Sequence, residues 1–241
     1  MGRILDIPGD LLTAGSRLDS ISPMLLSEST HPFSHEDWLF ELKQDGYRLL
    51  AEANAGQVKL KTRNGVDATR WFPEIVAGLA MVPGGPHVID GEACMQDDIG
   101  RSDLGRLQKR VLARRYKPGA DPVAYCVFDI LVMNGADVMA QPLLERKALL
   151  ADLLAIRPPS VREVGFVRAE GKWLYQQAVA LELRGIVGKL ALSAYLPGRR
   201  TRDWLKIERP GLVSPRRVRR SRTWLLGHRP RREASGAGIA C

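Results

Sequence analysis

Lys43-Gln44-Asp45-Gly46-Tyr47-Arg48 places a lysine, a carboxylate, a turn-forming glycine and an arginine within six residues. It lies between two apolar runs, Trp38-Leu39-Phe40-Glu41-Leu42 and Tyr47-Arg48-Leu49-Leu50-Ala51-Glu52, each of which reads as a short strand. Asp45-Gly46 is strong turn chemistry, so the stretch predicts a hairpin with Lys43 near the mouth of a sheet. There, burial or a second cation depresses an ammonium pKa and frees its lone pair for attack. Such help is required, because an unperturbed lysine, with a pKa of about 10.4, is less than roughly 0.1% neutral at pH 7. On these six residues alone, a hairpin with solvated charges carries equal weight.

Downstream, Val58-Lys59-Leu60-Lys61-Thr62-Arg63 alternates strictly, giving a half-exposed strand with Lys59, Lys61 and Arg63 on one face. That face is either solvated or tracks a phosphate backbone. Phe72 to Met81 reads as a short helix with Pro73 in its first turn, ended by Pro83-Gly84-Gly85-Pro86. Val88-Ile89-Asp90-Gly91-Glu92-Ala93 is a strand with two carboxylates, which need a cation, hydrogen bonds or water if buried. Leu104, Leu107, Val111 and Leu112 have the spacing of a surface helix, and Val123 to Leu131 is a continuous apolar strand. Leu143 to Ile156 and Gly171 to Leu183 are amphipathic helices, after which Gly185 opens a β-rich segment. Irregular alternation with hairpins early predicts an α+β fold of antiparallel sheets flanked by helices, not a doubly wound parallel sheet.

A chain of 241 residues, 45% apolar, can build a real core. No apolar run approaches membrane-spanning length and the N-terminus lacks a signal pattern, so a soluble cytoplasmic protein with no membrane partner is expected. Cys94, Cys126 and Cys241 lack metal-ligand spacing and fit a reducing compartment. His31, His35, His87 and His228 are scattered, and the Gly-rich pieces lack the Lys-Ser/Thr of a phosphate loop. The net charge of +9 is concentrated at one end: residues 209–241 hold nine arginines and one glutamate, leaving 27 basic and 26 acidic side chains in residues 1–208. A phosphate-binding surface in the body must therefore come from local clusters such as Lys59, Lys61 and Arg63, or Arg199, Arg200 and Arg202.

KQDGYR resembles the K-x-D-G-x-R motif of covalent nucleotidyltransferases, the superfamily of ATP-dependent DNA ligases, RNA ligases and mRNA capping enzymes. Further family-like segments occur in the family's order. They are Ile21-Ser22-Pro23-Met24-Leu25, Arg63-Asn64-Gly65, Asp90-Gly91-Glu92, Val127-Phe128-Asp129-Ile130-Leu131, Gly185-Ile186-Val187-Gly188-Lys189 and Trp204-Leu205-Lys206. The match looks closest to bacterial repair ligases. It implies a nucleotidyltransferase (ATP-grasp-like) adenylation domain at 21–208, while residues 1–20, weakly periodic and containing Pro8-Gly9, read as a lead-in. It also implies that Lys43 attacks the α-phosphate of ATP to form a lysyl-AMP adduct, with Mg²⁺ screening the phosphates. By the same resemblance Glu41 helps read adenine, Arg48 and Glu92 lie at the ribose, Glu92 also serves the metal, and Phe128 stacks on adenine. Lys189 belongs to the nucleotide site and Lys206 holds the α-phosphate. Arg63 and Arg200 contact nucleic acid, the implied partner being nicked double-stranded DNA.

Two residues depart from the pattern. Arg184 stands where the family carries a glutamate before Gly-Ile-Val, and Glu208 where it carries the last motif's second lysine. Both reverse a charge expected to act on metal or phosphate, so impaired catalysis is expected. The 33 residues after Glu208 are too few for the family's C-terminal OB-fold, whose five strands need roughly 40 or more. Residues 209–241 read instead as a basic, poorly folding tail, either the product of a frameshift or truncation or a nucleic-acid-binding extension. An RNA ligase and a non-catalytic nucleotide- or nucleic-acid-binding remnant remain alternatives to a DNA ligase adenylation domain.

Overall fold

In the computed structural model, which describes residues 17–97, 101–113, 116 and 119–211, the two strands flanking Lys43 belong to different sheets. The first sheet has the order β1 (Leu25–Glu28), β11 (Arg200–Glu208), β10 (Gly185–Leu190), β2 (Trp38–Leu42) and β9 (Phe166–Arg168). The second has the order β4 (Gln57–Thr62), β3 (Tyr47–Asn54), β5 (His87–Cys94), β6 (Ala124–Met133) and β7 (Ala136–Asp137), with β8 (Val161–Glu163) beside β6. All pairings are antiparallel except β1 with β11 and β6 with β8. The expected α+β class therefore holds.

The hairpin expected across Asp45-Gly46 does not form. Both edges of each strand are already used: β2 lies between β10 and β9, and β3 between β4 and β5. Gly46 is needed for space instead of reversal, because a Cβ there would sit 2.0 Å from the Ala93 carbonyl oxygen. Its N–H donates to Glu92 Oε1 at 2.9 Å, so residues 43–46 bridge one sheet to the other.

The helices form where periodicity places them: α2 (Pro73–Leu79), α3 (Leu104–Ala113), α4 (Leu143–Leu153) and α5 (Gly171–Ala180), after a short α1 (Arg17–Ser20). Phe72, Ile75, Leu79, Leu107 and Leu150 pack on the outer face of the second sheet against Leu49, Ile89 and Val127. On its inner face Leu50 and Phe128 meet Met24, Tyr195 and Trp204 from the first sheet's side, so an apolar layer joins the sheets. The α5 residues Leu174 and Ala178 cover Phe40 and Ile186 on the far side of the first sheet. Residues 1–16 of the expected lead-in and 212–241 of the expected tail lie outside the described residues.

Candidate active site

Directly opposed residues of paired strands share a face, so the register of the first sheet sets which side chains converge. Leu39, Lys189 and Trp204 form one row; Glu41, Val187, Lys206 and Glu28 form the next. Lys43 extends the series, because its N–H donates to the Gly185 carbonyl at 2.9 Å and Gly185 opposes Glu208. Gly185 makes that row possible: its φ is +134°, and a Cβ would lie 2.1 Å from the Ile207 carbonyl oxygen. On the second sheet Arg48 opposes Glu92, which opposes Cys126.

These rows line a groove of about 530 Å³ that includes Lys43, Arg48, Arg63, Glu92, Arg200 and Lys206. A small recess of about 50 Å³ adjoins it, where Lys43, Arg48 and Glu92 meet Glu41, Phe128 and Lys189. All nine site residues expected from sequence thus border one continuous depression. Lys61 does not: its Nζ donates to the Ile21 carbonyl at 2.8 Å and to that of Leu18, closing the end of α1. Strand alternation put Lys61 and Arg63 on one face, but four methylenes let an ammonium turn to nearby carbonyls.

In the recess, Glu41 is buried between two ammonium groups, 2.6 Å from Lys147 Nζ and 2.8 Å from Lys189 Nζ. Burial pushes the Glu41 carboxyl up, but the two lysines outweigh it and hold it below the usual range. For Lys189 the balance falls the other way. Burial, aided by repulsion from Lys147, overcomes its share of Glu41 and lowers its pKa to about 8. One carboxylate divided between two cations accounts for both shifts. Lys189 Nζ also lies 4.3 Å from the ring centroids of Phe128 and Trp204.

Arg48 is fixed from below. Its Nε and Nη2 donate to the buried Asp90 carboxylate at 2.5 and 2.6 Å, and its Cζ lies 4.5 Å over the Phe128 ring. Burial disfavours this guanidinium, yet Asp90 outweighs that and raises its pKa above the ordinary value. Tyr195 Oη donates to Asp90 at 2.6 Å and accepts the Met24 N–H at 2.9 Å, tying in the Pro23-Met24 segment. Asp90 is therefore the counterion of Arg48.

In the wider groove, Glu208 receives three cations: Lys43 Nζ at 3.6 Å, Arg184 Nε at 3.3 Å and Lys206 Nζ at 3.5 Å. Burial raises the Glu208 carboxyl, but Lys43, Lys206 and Arg184 together hold it below the usual range. Arg184 also bonds Asp45 at 2.9 Å, and Lys206 bonds Glu28 at 2.6 Å. The two departures from the ligase pattern therefore pair with each other. The two reversed charges face each other across 3.3 Å.

The donor set limits how Mg²⁺ could be held. Among the described residues no three His, Cys, Asp or Glu side chains converge as a metal cage. Glu28, Asp45 and Glu208 each face a lysine or arginine, while Glu92 borders the groove and accepts the Gly46 N–H. Mg²⁺ carried on substrate phosphates requires only one or two carboxylates, and Glu92 fits as one.

Sequence reasoning missed Lys147 and Arg146. Leu143, Arg146, Lys147 and Leu150 occupy i, i+3, i+4 and i+7, the core-facing positions of α4, and all four are buried. Two charges on that stripe signalled buried partners: Lys147 takes Glu41, and Arg146 takes Asp129 at 2.8 and 2.9 Å.

Comparison with known proteins gives the same answer along the chain. The SPbeta prophage-derived DNA ligase-like protein LigB of Bacillus subtilis is 34% identical over 187 residues, covering 78% of this chain and 67% of LigB. The multifunctional non-homologous end joining protein LigD of Pseudomonas aeruginosa is 35% identical over 189 residues, which are 78% of this chain but 22% of that protein. The solved ligase domain of Mycobacterium tuberculosis LigD superposes with a TM-score of 0.69 at 28% identity, covering 80% of this chain and 62% of that one. A mycobacterial DNA ligase D complexed with ATP and MES superposes with a TM-score of 0.68. The match spans about a fifth of the length of the Pseudomonas aeruginosa LigD. The family model of the ATP dependent DNA ligase domain matches residues 23–208, from the segment beneath Arg48 to the end of β11, and the chain belongs to that family.

Proposed function

We propose that this chain is the adenylation unit of an ATP-dependent DNA ligase acting in repair, with residues 21–208 as the catalytic domain. One observation carries the reading: Lys43 stands where the narrow recess opens into the wide cationic groove. A purine held in the recess would direct its phosphates past Lys43 Nζ. Glu41 and Lys189 present polar atoms to the base edge, Phe128 supplies a ring face, and Arg48 with Glu92 flanks the sugar.

Lys43 Nζ attacks the α-phosphorus, its proton is lost to solvent, and the bond to the pyrophosphate oxygen breaks. The product is a lysyl-AMP phosphoramidate. Lys206 and Arg184 offset the charge that develops on the α-phosphate oxygens. AMP then passes to the 5′-phosphate at a nick in double-stranded DNA, and the 3′-hydroxyl displaces it to seal the strand. Arg63 and Arg200, at the groove rim, serve as strand phosphate contacts. Glu92 would hold Mg²⁺ at the nucleotide phosphates, where the ion would supply electrostatic screening. The free thiols of Cys94 and Cys126 support a reducing, cytoplasmic setting.

Incubation with α-labelled ATP and Mg²⁺ tests the proposal. Label is expected on the native chain, at Lys43 by peptide mapping, and none on Lys43→Ala. Addition of nicked duplex DNA should discharge the label, whereas nicked RNA should not. An unlabelled native chain would sink the reading in favour of a non-catalytic binding remnant, and discharge by RNA alone would move it to an RNA ligase.

A further inference from the structure

Three cations from three separate segments converge on the Glu208 carboxylate: Lys43 from the interstrand bridge, Arg184 from the approach to β10, and Lys206 from β11. A carboxylate presents two oxygens and a negative charge, as the face of a phosphoryl group does. The three contacts run from 3.3 to 3.6 Å, longer than the roughly 2.7–2.9 Å of a tight charge-assisted bond. Elsewhere in the same groove Arg48 holds Asp90 at 2.5 Å and Lys206 holds Glu28 at 2.6 Å. Glu208 is thus surrounded by cations and held by one long hydrogen bond, from Arg184 Nε at 3.3 Å.

Its position allows departure. Glu208 ends β11, and its side chain is 30% exposed, so rotation carries the carboxylate into solvent without disturbing the strand. Arg184 would keep Asp45 at 2.9 Å, and Lys206 would keep Glu28. Lys43 would be left facing whichever anion replaced Glu208.

We propose that Glu208 is a built-in surrogate anion occupying the polyphosphate subsite, and that an incoming polyphosphate must displace it, so that residue 208 sets the affinity of this groove. The proposal rests on reading the groove as the phosphate side of the nucleotide site. Competition of this kind gives neighbouring substitutions opposite signs. Glu208→Gln keeps the shape and removes the competing charge, so binding strengthens. Arg184→Met removes one of the recipients, so binding weakens. If the pair served only to hold the fold together, both variants would loosen the site and both would weaken binding.

Isothermal titration of the full chain with inorganic tripolyphosphate, at fixed salt and without divalent metal, reads this directly. Loss of one partly screened charge at contact range is expected to tighten binding by about tenfold in Glu208→Gln, with Glu208→Ala in the same direction. Arg184→Met should bind more weakly than the native chain. Unchanged or weaker binding in Glu208→Gln overturns the proposal, and so does failure of both residue 208 variants to fold. Formation of the Lys43 adduct from ATP is read separately. An adduct with no tightening removes only the surrogate anion, whereas tightening without an adduct leaves the anion subsite and removes the nucleotidyl-transfer reading.

Discussion

Arg184 and Glu208, whose charges are opposite to those of the ligase pattern, touch each other: Arg184 Nε lies 3.3 Å from Glu208 Oε1. They meet because Gly185 pairs with Glu208 across β10 and β11, which brings the residue before Gly185 beside the strand end. Arg184→Glu alone would gather carboxylates at 45, 184 and 208 beside Lys43. Glu208→Lys alone would add an ammonium to Lys43, Arg184 and Lys206. We expect each single variant to lower stability and the double variant to recover most of the loss, with a coupling of about 1–2 kcal/mol in urea unfolding. Adenylation should be slowest in Arg184→Glu and faster in the double variant than in the native chain. A coupling near zero would mean that the two substitutions are independent.

Asp90 and Arg48 make the tightest pair in the site, and their burial makes the pair asymmetric. Asp90→Asn would leave a buried guanidinium without its anion, a loss expected to cost about 3–5 kcal/mol. Tyr195→Phe removes one hydrogen bond to the same carboxylate and should cost about 1 kcal/mol. Arg48→Lys retains charge but cannot span both carboxylate oxygens, so ATP binding should weaken well beyond the change in stability. Thermal unfolding and ATP titration of the three variants check the ranking, and an Asp90→Asn variant as stable as Tyr195→Phe would refute it.

Strands and helices were legible because burial imposes periodicity; α2, α4 and α5 lie within the stretches so marked, and α3 runs one residue past Leu112. Pairing was not legible. Asp45-Gly46 signals a tight change of direction, but turn chemistry does not say which strands pair, and β2 finds its partners in β9 and β10. That the nine expected residues would border one depression was legible only through an ordered set of motifs. Taken singly, Phe128 is a core residue and Glu92 a strand carboxylate. Tyr195, which bonds Asp90 from 105 residues away, belongs to no local pattern. Lys147 had a signal in the charges on the apolar stripe of α4, but its partner could not be named from the helix alone.

Gly46 is expected to tolerate no side chain, for a reason of space. In Gly46→Ala the new Cβ would meet the Ala93 carbonyl 2.0 Å away and force the bridge off β5, breaking the Gly46 N–H bond to Glu92. Lys43 is three residues upstream on the same bridge. A displacement of about 1 Å there should slow adenylation on the order of a hundredfold. Single-turnover labelling with ATP measures this, and a rate within twofold of native would show that the bridge does not position Lys43.

Lys189 is retained at a cost in stability that pH should expose. Its pKa is lowered to about 8 from 10.5, so between those values the unfolded chain binds the proton that the folded chain has released. The penalty is therefore complete below pH about 8 and fades as pH rises toward 10.5. Lys189→Met fills the same space between Phe128 and Trp204 and leaves Glu41 and Lys147 as a one-to-one pair. This variant is expected to be more stable than the native chain at pH 7 by about 2 kcal/mol, with the advantage shrinking above pH 8. Glu41→Gln is the opposite case, stranding two buried ammonium groups without an anion and costing about 3–5 kcal/mol at pH 7. Urea unfolding from pH 7 to 10 separates the two. A native-to-Lys189→Met difference that stays constant across that range would show that Lys189 does not titrate there. Should the difference fade as expected while ATP affinity falls in Lys189→Met at every pH, the buried ammonium is held against its own stability for the nucleotide it faces.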